Sequence, residues 1–308
     1  MSTSSETPGG FTLAAFAGAV LIGGANFLAV RFSNAELDPF WGAGFRFLGA
    51  AVIFIALALA LRLEWPRGRL LFLTVAYGVV NFTLSYALMY WALVTVTAGV
   101  AAVVLAIVPL LTPMLAAAQG LESLNRRAII GALIALGGIV WMTVGPKGLV
   151  LPLSGLVAIL AASVTVAEGV IISKRVAENH PVMTNAVGLM AGVPLLLMVS
   201  RFAGETWALP SQGEAAWAVL YLMTLGTVGL FVLFLLVMRR WTASAAAYAF
   251  VLFPVVTMLL EAWLADVPLT VRGVIGALVV MGGVWFGAFS GSGRRATVEP
   301  AEAGIPAG

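Results

Sequence analysis

Charge is scarce in this sequence and cysteine is absent. Only 9% of its 308 residues are Asp, Glu, Lys or Arg, against about 25% in a soluble globular domain. So few charges cannot clothe a water-facing surface, and a soluble fold is excluded. With 62% hydrophobic residues and a mean hydropathy of +1.08, the chain reads as an all-α integral membrane protein. The lack of cysteine rules out disulfides, thiolate metal sites and cysteine nucleophiles. Histidine is nearly missing too. His180, the single one, precedes Pro181 in a polar break and reads as a solvated loop residue. One imidazole cannot build a His-Glu-x-x-His zinc site, and neither Gly-x-Ser-x-Gly nor Gly-x-x-x-x-Gly-Lys-Ser/Thr occurs. The sequence therefore offers no catalytic set, no metal site, no cofactor motif and no nucleotide site. The pI of 9.6 does not point to nucleic acid, because the basic residues are few and lie between apolar runs, at headgroup level. Lysine is limited to Lys147 and Lys174, a bias expected of a GC-rich bacterial genome, and the expected location is a bacterial inner membrane.

What is present is a series of apolar runs of about 20 residues, the length that spans a bilayer. Polar, Pro-rich and Gly-rich breaks divide them into ten spans at 11–31, 40–61, 70–92, 96–118, 127–145, 153–173, 182–201, 215–238, 243–265 and 272–290. The first run begins at Phe11 and lacks a basic start, so it reads as a retained span rather than a cleaved signal peptide. Eleven of the sixteen Lys and Arg residues fall in the alternate connections that share a side with both termini. Four fall on the other side, and Arg46 lies within span 2. The positive-inside rule then makes both termini cytoplasmic. Residues 1–10 and 291–308 read as cytoplasmic tails, the second of them disordered.

Residues 97–142 recur at 242–287 without a gap. Pro109 meets Pro254, Thr112 meets Thr257, Arg127 meets Arg272, Gly131 meets Gly276, and Gly137-Gly138 meets Gly282-Gly283. The duplication divides the chain into halves of five spans each, 11–145 and 153–290. Five is odd, so the second half crosses the membrane in the opposite sense to the first. Inverted repeats of this kind build secondary transporters, in which the halves can rock about a central site.

The order of short motifs resembles the EamA-type members of the drug/metabolite transporter superfamily, over about residues 12–290. Gly23–Phe32, GGANFLAVRF, is similar to that family's Trp-Gly-Ser-Asn-Phe-x-x-x-Lys. Pro39 and Arg46 follow in its Pro…Arg spacing, and Tyr90-Trp91-Ala92-Leu93 matches its close of span 3. Pro109, Glu122, Gly131 and Gly137 fit its Pro…Gly-Glu…Gly…Gly order. Two positions depart: Gly23 stands where the family has tryptophan, and Asp266 replaces the second-half glutamate one position away. The resemblance implies ten helices in two inverted five-helix repeats, a central cavity lined by spans 1, 3, 4, 6, 8 and 9, and efflux of small metabolites.

Polar groups inside spans cost free energy unless satisfied, so they nominate the site. Pairing Pro39 with Pro181 sets Glu168 of span 6 opposite Asn26 of span 1, as two walls of one cavity. An apolar setting favours a neutral carboxyl, which makes Glu168 a candidate for proton coupling or for holding a substrate amine. The alternative is a structural glutamate bonded to a neighbouring helix. Glu261 has Ala116 as its repeat partner, an asymmetry that makes it, with Arg46, a candidate for coupling or gating; the alternative is a structural pair with Arg46, in the same third of the membrane. Tyr77 and Asn81 lie four apart, on one helix face, and can hydrogen-bond a solute or a neighbouring helix. Tyr221 and Tyr248 are further candidates of that kind. Tyr90 and Trp91 read as interfacial belt residues. Pro109 and Pro254 free the carbonyls of Leu105 and Phe250 and are candidate hinges. The six repeat glycines read as helix-packing contacts. The leading function is thus a secondary exporter of small organic solutes such as amino acids, driven by a gradient, with protons the candidate ion, or passive. A lipid or polyamine flippase of the same fold is the alternative, and membrane lipids are the other expected partners.

Overall fold

A computed structural model of the chain describes residues 10–120, 126–145, 148–149, 152–211, 213–241, 246 and 248–289. The tails at 1–9 and 291–308, together with Glu122, Lys147, Thr242, Arg294 and Arg295, lie outside the described residues. Ten helices are present among those described. They are α1 (Gly10–Asn34), α2 (Pro39–Ala60), α3 (Gly68–Ala92), α4 (Ala98–Ala118), α5 (Arg126–Thr143), α6 (Leu153–Arg175), α7 (Pro181–Phe202), α8 (Gly213–Arg240), α9 (Ala249–Leu264) and α10 (Val271–Phe289). The first eight are long and apolar enough to cross a bilayer, and α9 and α10 are shorter apolar helices. Large apolar side chains such as Phe72, Trp217, Trp263 and Trp285 are exposed on their outer faces, where lipid would cover them.

Local chemistry sets the helix ends. Pro39 and Pro181 occupy the first turns of α2 and α7, where a missing N–H costs nothing. Thr97 caps α4 by accepting from the Val100 N–H at 3.4 Å. The His180 Nδ1 accepts from the Val182 N–H at 3.3 Å. Burial first, and Arg239 second, push the His180 imidazole below its usual pKa, which keeps it neutral and able to accept. Gly120 (φ 71°) and Gly204 (φ 74°) stop α4 and α7 in the left-handed region that glycine enters without penalty. Asp266 (φ 50°) ends α9 in the same way, so the displaced acidic residue of the second half is a helix stop. Between α5 and α6 a two-residue antiparallel ladder pairs Val144 with Leu149 and Gly145 with Gly148.

The halves interdigitate. α5 packs on α10, α2 on α7, α1 on α9 and α8, α3 on α6 and α7, and α4 on α6 and α9. Each first-half helix thus has its main partner in the second half. The α5–α10 contact is made by glycine. A Cβ on Gly131 would come 2.5 Å from the Gly283 carbonyl oxygen, and one on Gly283 would come 2.7 Å from that of Gly131. Gly138 and Gly276 face each other similarly. Gly137 and Gly282 do not take part: a Cβ on either would meet nothing within 4 Å. Four of the six repeat glycines therefore carry the packing.

Two further features bear on the repeats, one shared and one not. α3 and α8 each contain one π-helical segment, Val79–Leu84 and Thr224–Gly229, separated by the same interval as Pro109 and Pro254. The duplication therefore reaches back into the third helix of each half. The repeat prolines, in contrast, behave differently. α4 is interrupted at 106–107, and Pro109 sits in the first turn of its second segment, whereas Pro254 lies within the unbroken α9.

Candidate functional site

A cavity of about 80 Å³ lies between the halves. Its walls come from α1, α3, α4, α6, α8 and α9, joined by Arg46 of α2. The lining repeats itself. Gly23, Asn26, Phe27 and Val30 on α1 have counterparts, in identical spacing, in Val166, Gly169, Val170 and Ser173 on α6. Tyr86 and Met89 are answered by Phe231 and Phe234, and Leu105 by Phe250, all in the register that sets Pro109 against Pro254. The cavity therefore sits on the pseudo-twofold relation between the repeats. Leu105 and Phe250, each four residues before a repeat proline, both line it.

The register of α1 against α6 corrects one expectation. Pairing Pro39 with Pro181 puts Glu168 opposite Asn26. The cavity lining runs one position further along α6 and puts Gly169 there. Gly169 packs against Asn81 in the π-segment of α3, and Asn26 packs against Gly226 in that of α8. Two amide–glycine pairs thus form, each joining an amide of the first half to a glycine of the second. Glu168 lies one position round the helix, half-buried, and accepts from the Gln119 Nε2 of α4 at 2.7 Å. Gln119 in turn accepts from Arg175 at 3.0 Å. Glu168 is not among the cavity-lining residues.

The polar end of the cavity is built on the π-segment of α8. The Gly226 carbonyl accepts from Asn26 Nδ2 at 2.8 Å and from Arg46 Nη2 at 2.7 Å. Arg46 Nε donates to Thr227 Oγ1 at 2.7 Å, and that hydroxyl donates to the Leu222 carbonyl at 2.7 Å. The Arg46 guanidinium also lies over the rings of Phe47 and Tyr86, at 5.0 and 5.1 Å from their centroids, a cation–π arrangement. On the α3 side, Tyr77 donates to Asn185 Oδ1 at 3.3 Å and receives from Asn81 Nδ2 at 3.4 Å. Tyr77 and Asn81 therefore share a face, as their spacing predicts, and both line the cavity.

Other candidates fall elsewhere. Glu261 pairs with Arg31 at 3.1 Å, not with Arg46. The same carboxylate accepts from the Ala98 and Gly99 N–H groups at 3.0 and 2.7 Å, at the start of α4. The positive end of that helix and Arg31 together satisfy it. Tyr221 donates to the Ile22 carbonyl at 2.9 Å and joins α8 to α1. Neither Tyr221 nor the half-buried Tyr248 lines the cavity. Tyr90 is fully buried, so of the expected belt pair only Trp91 is exposed. Sequence reasoning missed the aromatic walls, Phe27, Phe231, Phe234, Phe250 and Phe253. Their signal was available: carried back into spans 3 and 8, the register of the two prolines pairs Tyr86 with Phe231.

The EamA-like transporter family matches the chain twice, at residues 10–144 and 153–288. A protein of Salmonella typhimurium (strain LT2) called "Probable amino-acid metabolite efflux pump" is 27% identical over 287 residues, 90% of this chain and 94% of that one. A protein of known crystal structure superposes with a TM-score of 0.65 at 21% identity, covering 90% of this chain and 96% of its own, and supports the fold alone. With both halves matched and the cavity on the axis between them, the chain belongs to the EamA-like transporter family.

Proposed function

We propose that this transporter exports small organic solutes, amino acids or related metabolites among them, by alternating access across a bacterial inner membrane. The repeated lining of the cavity is the observation that carries the reading. Residues related by the internal repeat face one space from both sides, which is the arrangement a site needs if it is to open to either face in turn. The efflux relative supports the direction and the solute class. At about 80 Å³ the cavity has room for several waters, so admitting a metabolite requires its helices to part. Among the described residues no carboxylate lines the cavity to neutralise a polyamine, which favours the metabolite reading over a polyamine flippase.

The test is uptake of labelled amino acids and nucleosides into proteoliposomes of the purified chain, with and without a pH gradient. Saturable uptake of one class is expected, and a response to the gradient would identify protons as the driving ion. Glu168→Gln, run alongside, is expected to leave KM unchanged, because its carboxylate meets Gln119 rather than the cavity. A KM raised several-fold would return Glu168 to the binding site. Lipid scrambling in place of solute uptake would establish the flippase instead.

A further inference from the structure

Arg46 is a fully buried charge without an ion-pair partner among the described residues. Its side chain is 0% exposed, about two turns into the membrane-spanning α2, and it lines the cavity. Among the described residues it forms no ion pair, since Glu261 is taken by Arg31, and no Asp or Glu lines the cavity. A guanidinium has five N–H donors. Here Nε and Nη2 spend one each, on Thr227 and Gly226. The hydroxyls of Tyr86 and Tyr90 interact with the guanidinium as neutral hydrogen-bond partners, but at a geometry that leaves Nη1 and the Tyr90 oxygen, both buried, without a well-formed hydrogen bond. A permanent cation is thus held in a largely apolar setting by neutral partners, with no charged acceptor among the described residues, a costly state that a bound anion would relieve. The rings of Phe47 and Tyr86 and the two hydrogen bonds hold the guanidinium in place. Its remaining edge, Nη1 with the second N–H of Nη2, has the forked geometry that matches a carboxylate.

Beside it stands the complementary group. Asn26 and Arg46 donate to the same Gly226 carbonyl, so their side chains are neighbours. That carbonyl needs a donor, which fixes the amide with Nδ2 towards it and leaves Oδ1 as a buried acceptor without a partner. The rest of the lining is largely aliphatic and aromatic.

Building on the transport reading above, we infer that Arg46 is the anion-recognising residue of the cavity, so that a transported solute must carry a carboxylate. Asn26 Oδ1 accepts from a donor group next to that carboxylate. Amines that lack a carboxylate are not carried, because the cavity offers them a cation and no counterion.

The experiment is proteoliposome uptake of a series of apolar α-amino acids, competed by three analogues of each: the methyl ester, the decarboxylated amine and the desamino acid. The acids and desamino acids are expected to compete, the esters and amines about tenfold more weakly or worse, as the loss of a charge-assisted hydrogen bond predicts. Arg46→Gln is expected to lose this preference. Arg46→Lys keeps a cation without the fork and is expected to retain the preference with a raised KM. A melting curve on each variant separates misfolding from lost recognition. Wild-type uptake that treats ester, amine and acid alike overturns the charge rule and leaves the transport reading standing. So does a folded Arg46→Gln that still prefers acids. A chloride ion on Arg46 would appear as uptake that depends on chloride and is indifferent to esterification, which also overturns the rule. Folded protein that moves none of these compounds overturns the transport reading and this inference with it.

Discussion

Glu261 shows how a single side chain can hold an otherwise expensive charge in a membrane protein. Its carboxylate is buried, yet it receives Arg31 and two backbone N–H groups at the start of α4. It therefore joins three helices, α1, α4 and α9, on the face opposite the termini. Glu261→Gln keeps the shape but removes the charge, replacing one accepting oxygen by a donor that faces N–H groups. The expected cost is about 1–3 kcal/mol, read as a lower melting temperature in detergent; an unchanged melting temperature would show that Arg31 and the helix end are satisfied by solvent instead. This residue also marks what the sequence made legible and what it did not. That a buried glutamate needs a cation followed from the cost of burying charge. Which cation followed from helix rotation and packing, which span boundaries do not specify: Arg31 and Arg46 both lay within plausible depth, and only the packing of α1 on α9 decides. Glu168 has the same history. A shift of a single position in the register of α1 against α6 turns a side chain through about 100° on a helix, enough to move it from the cavity to Gln119.

At the scale of the helix, the duplication was readable because glycine and proline leave marks in sequence, and their roles separated only in three dimensions. Gly131 and Gly137 look alike in the repeat. One is pressed on the backbone of α10 and the other meets nothing. Gly131→Ala is expected to destabilise by about 1–3 kcal/mol, since a backbone carbonyl stands where the methyl would go and α5 must move away from α10. Gly282→Ala has open space and is expected to be neutral or slightly stabilising, through helix propensity. Thermal unfolding of the two variants side by side checks the contrast, and equal losses would refute the glycine contact. The π-segments left no mark of this kind. No residue type specifies a π-turn, so their recurrence in the register of the repeat emerged from the structure. They matter because the carbonyl of Gly226, within the second, receives both Asn26 and Arg46. A widened turn of this sort frequently marks a functional site.

For the molecule as a whole, the number of helices and their apolar character were plain from composition and run length. The interleaving of the halves was not, because a hydropathy pattern records burial and not partners. Under the proposed alternating access, the moving bodies would each contain helices of both repeats, since α5 with α10 and α2 with α7 are tightly paired across them. Orientation can be tested directly, and the absence of cysteine makes the test clean. Single cysteines placed at Arg69 and Ser211 lie at opposite ends of the helices. A membrane-impermeant maleimide added to intact cells is expected to label Ser211→Cys and to reach Arg69→Cys only after lysis. The reverse pattern would place the termini outside.

The interleaving bears as well on how the chain is made. Helices emerge in order during synthesis, and the first five enter the membrane before any of their principal partners exists. Gly131 of α5 waits for Gly283 of α10, and the buried Asn26 and Arg46 wait for the carbonyl of Gly226. Until translation is nearly complete, the nascent half holds an unsatisfied cation and an unpaired glycine face in lipid.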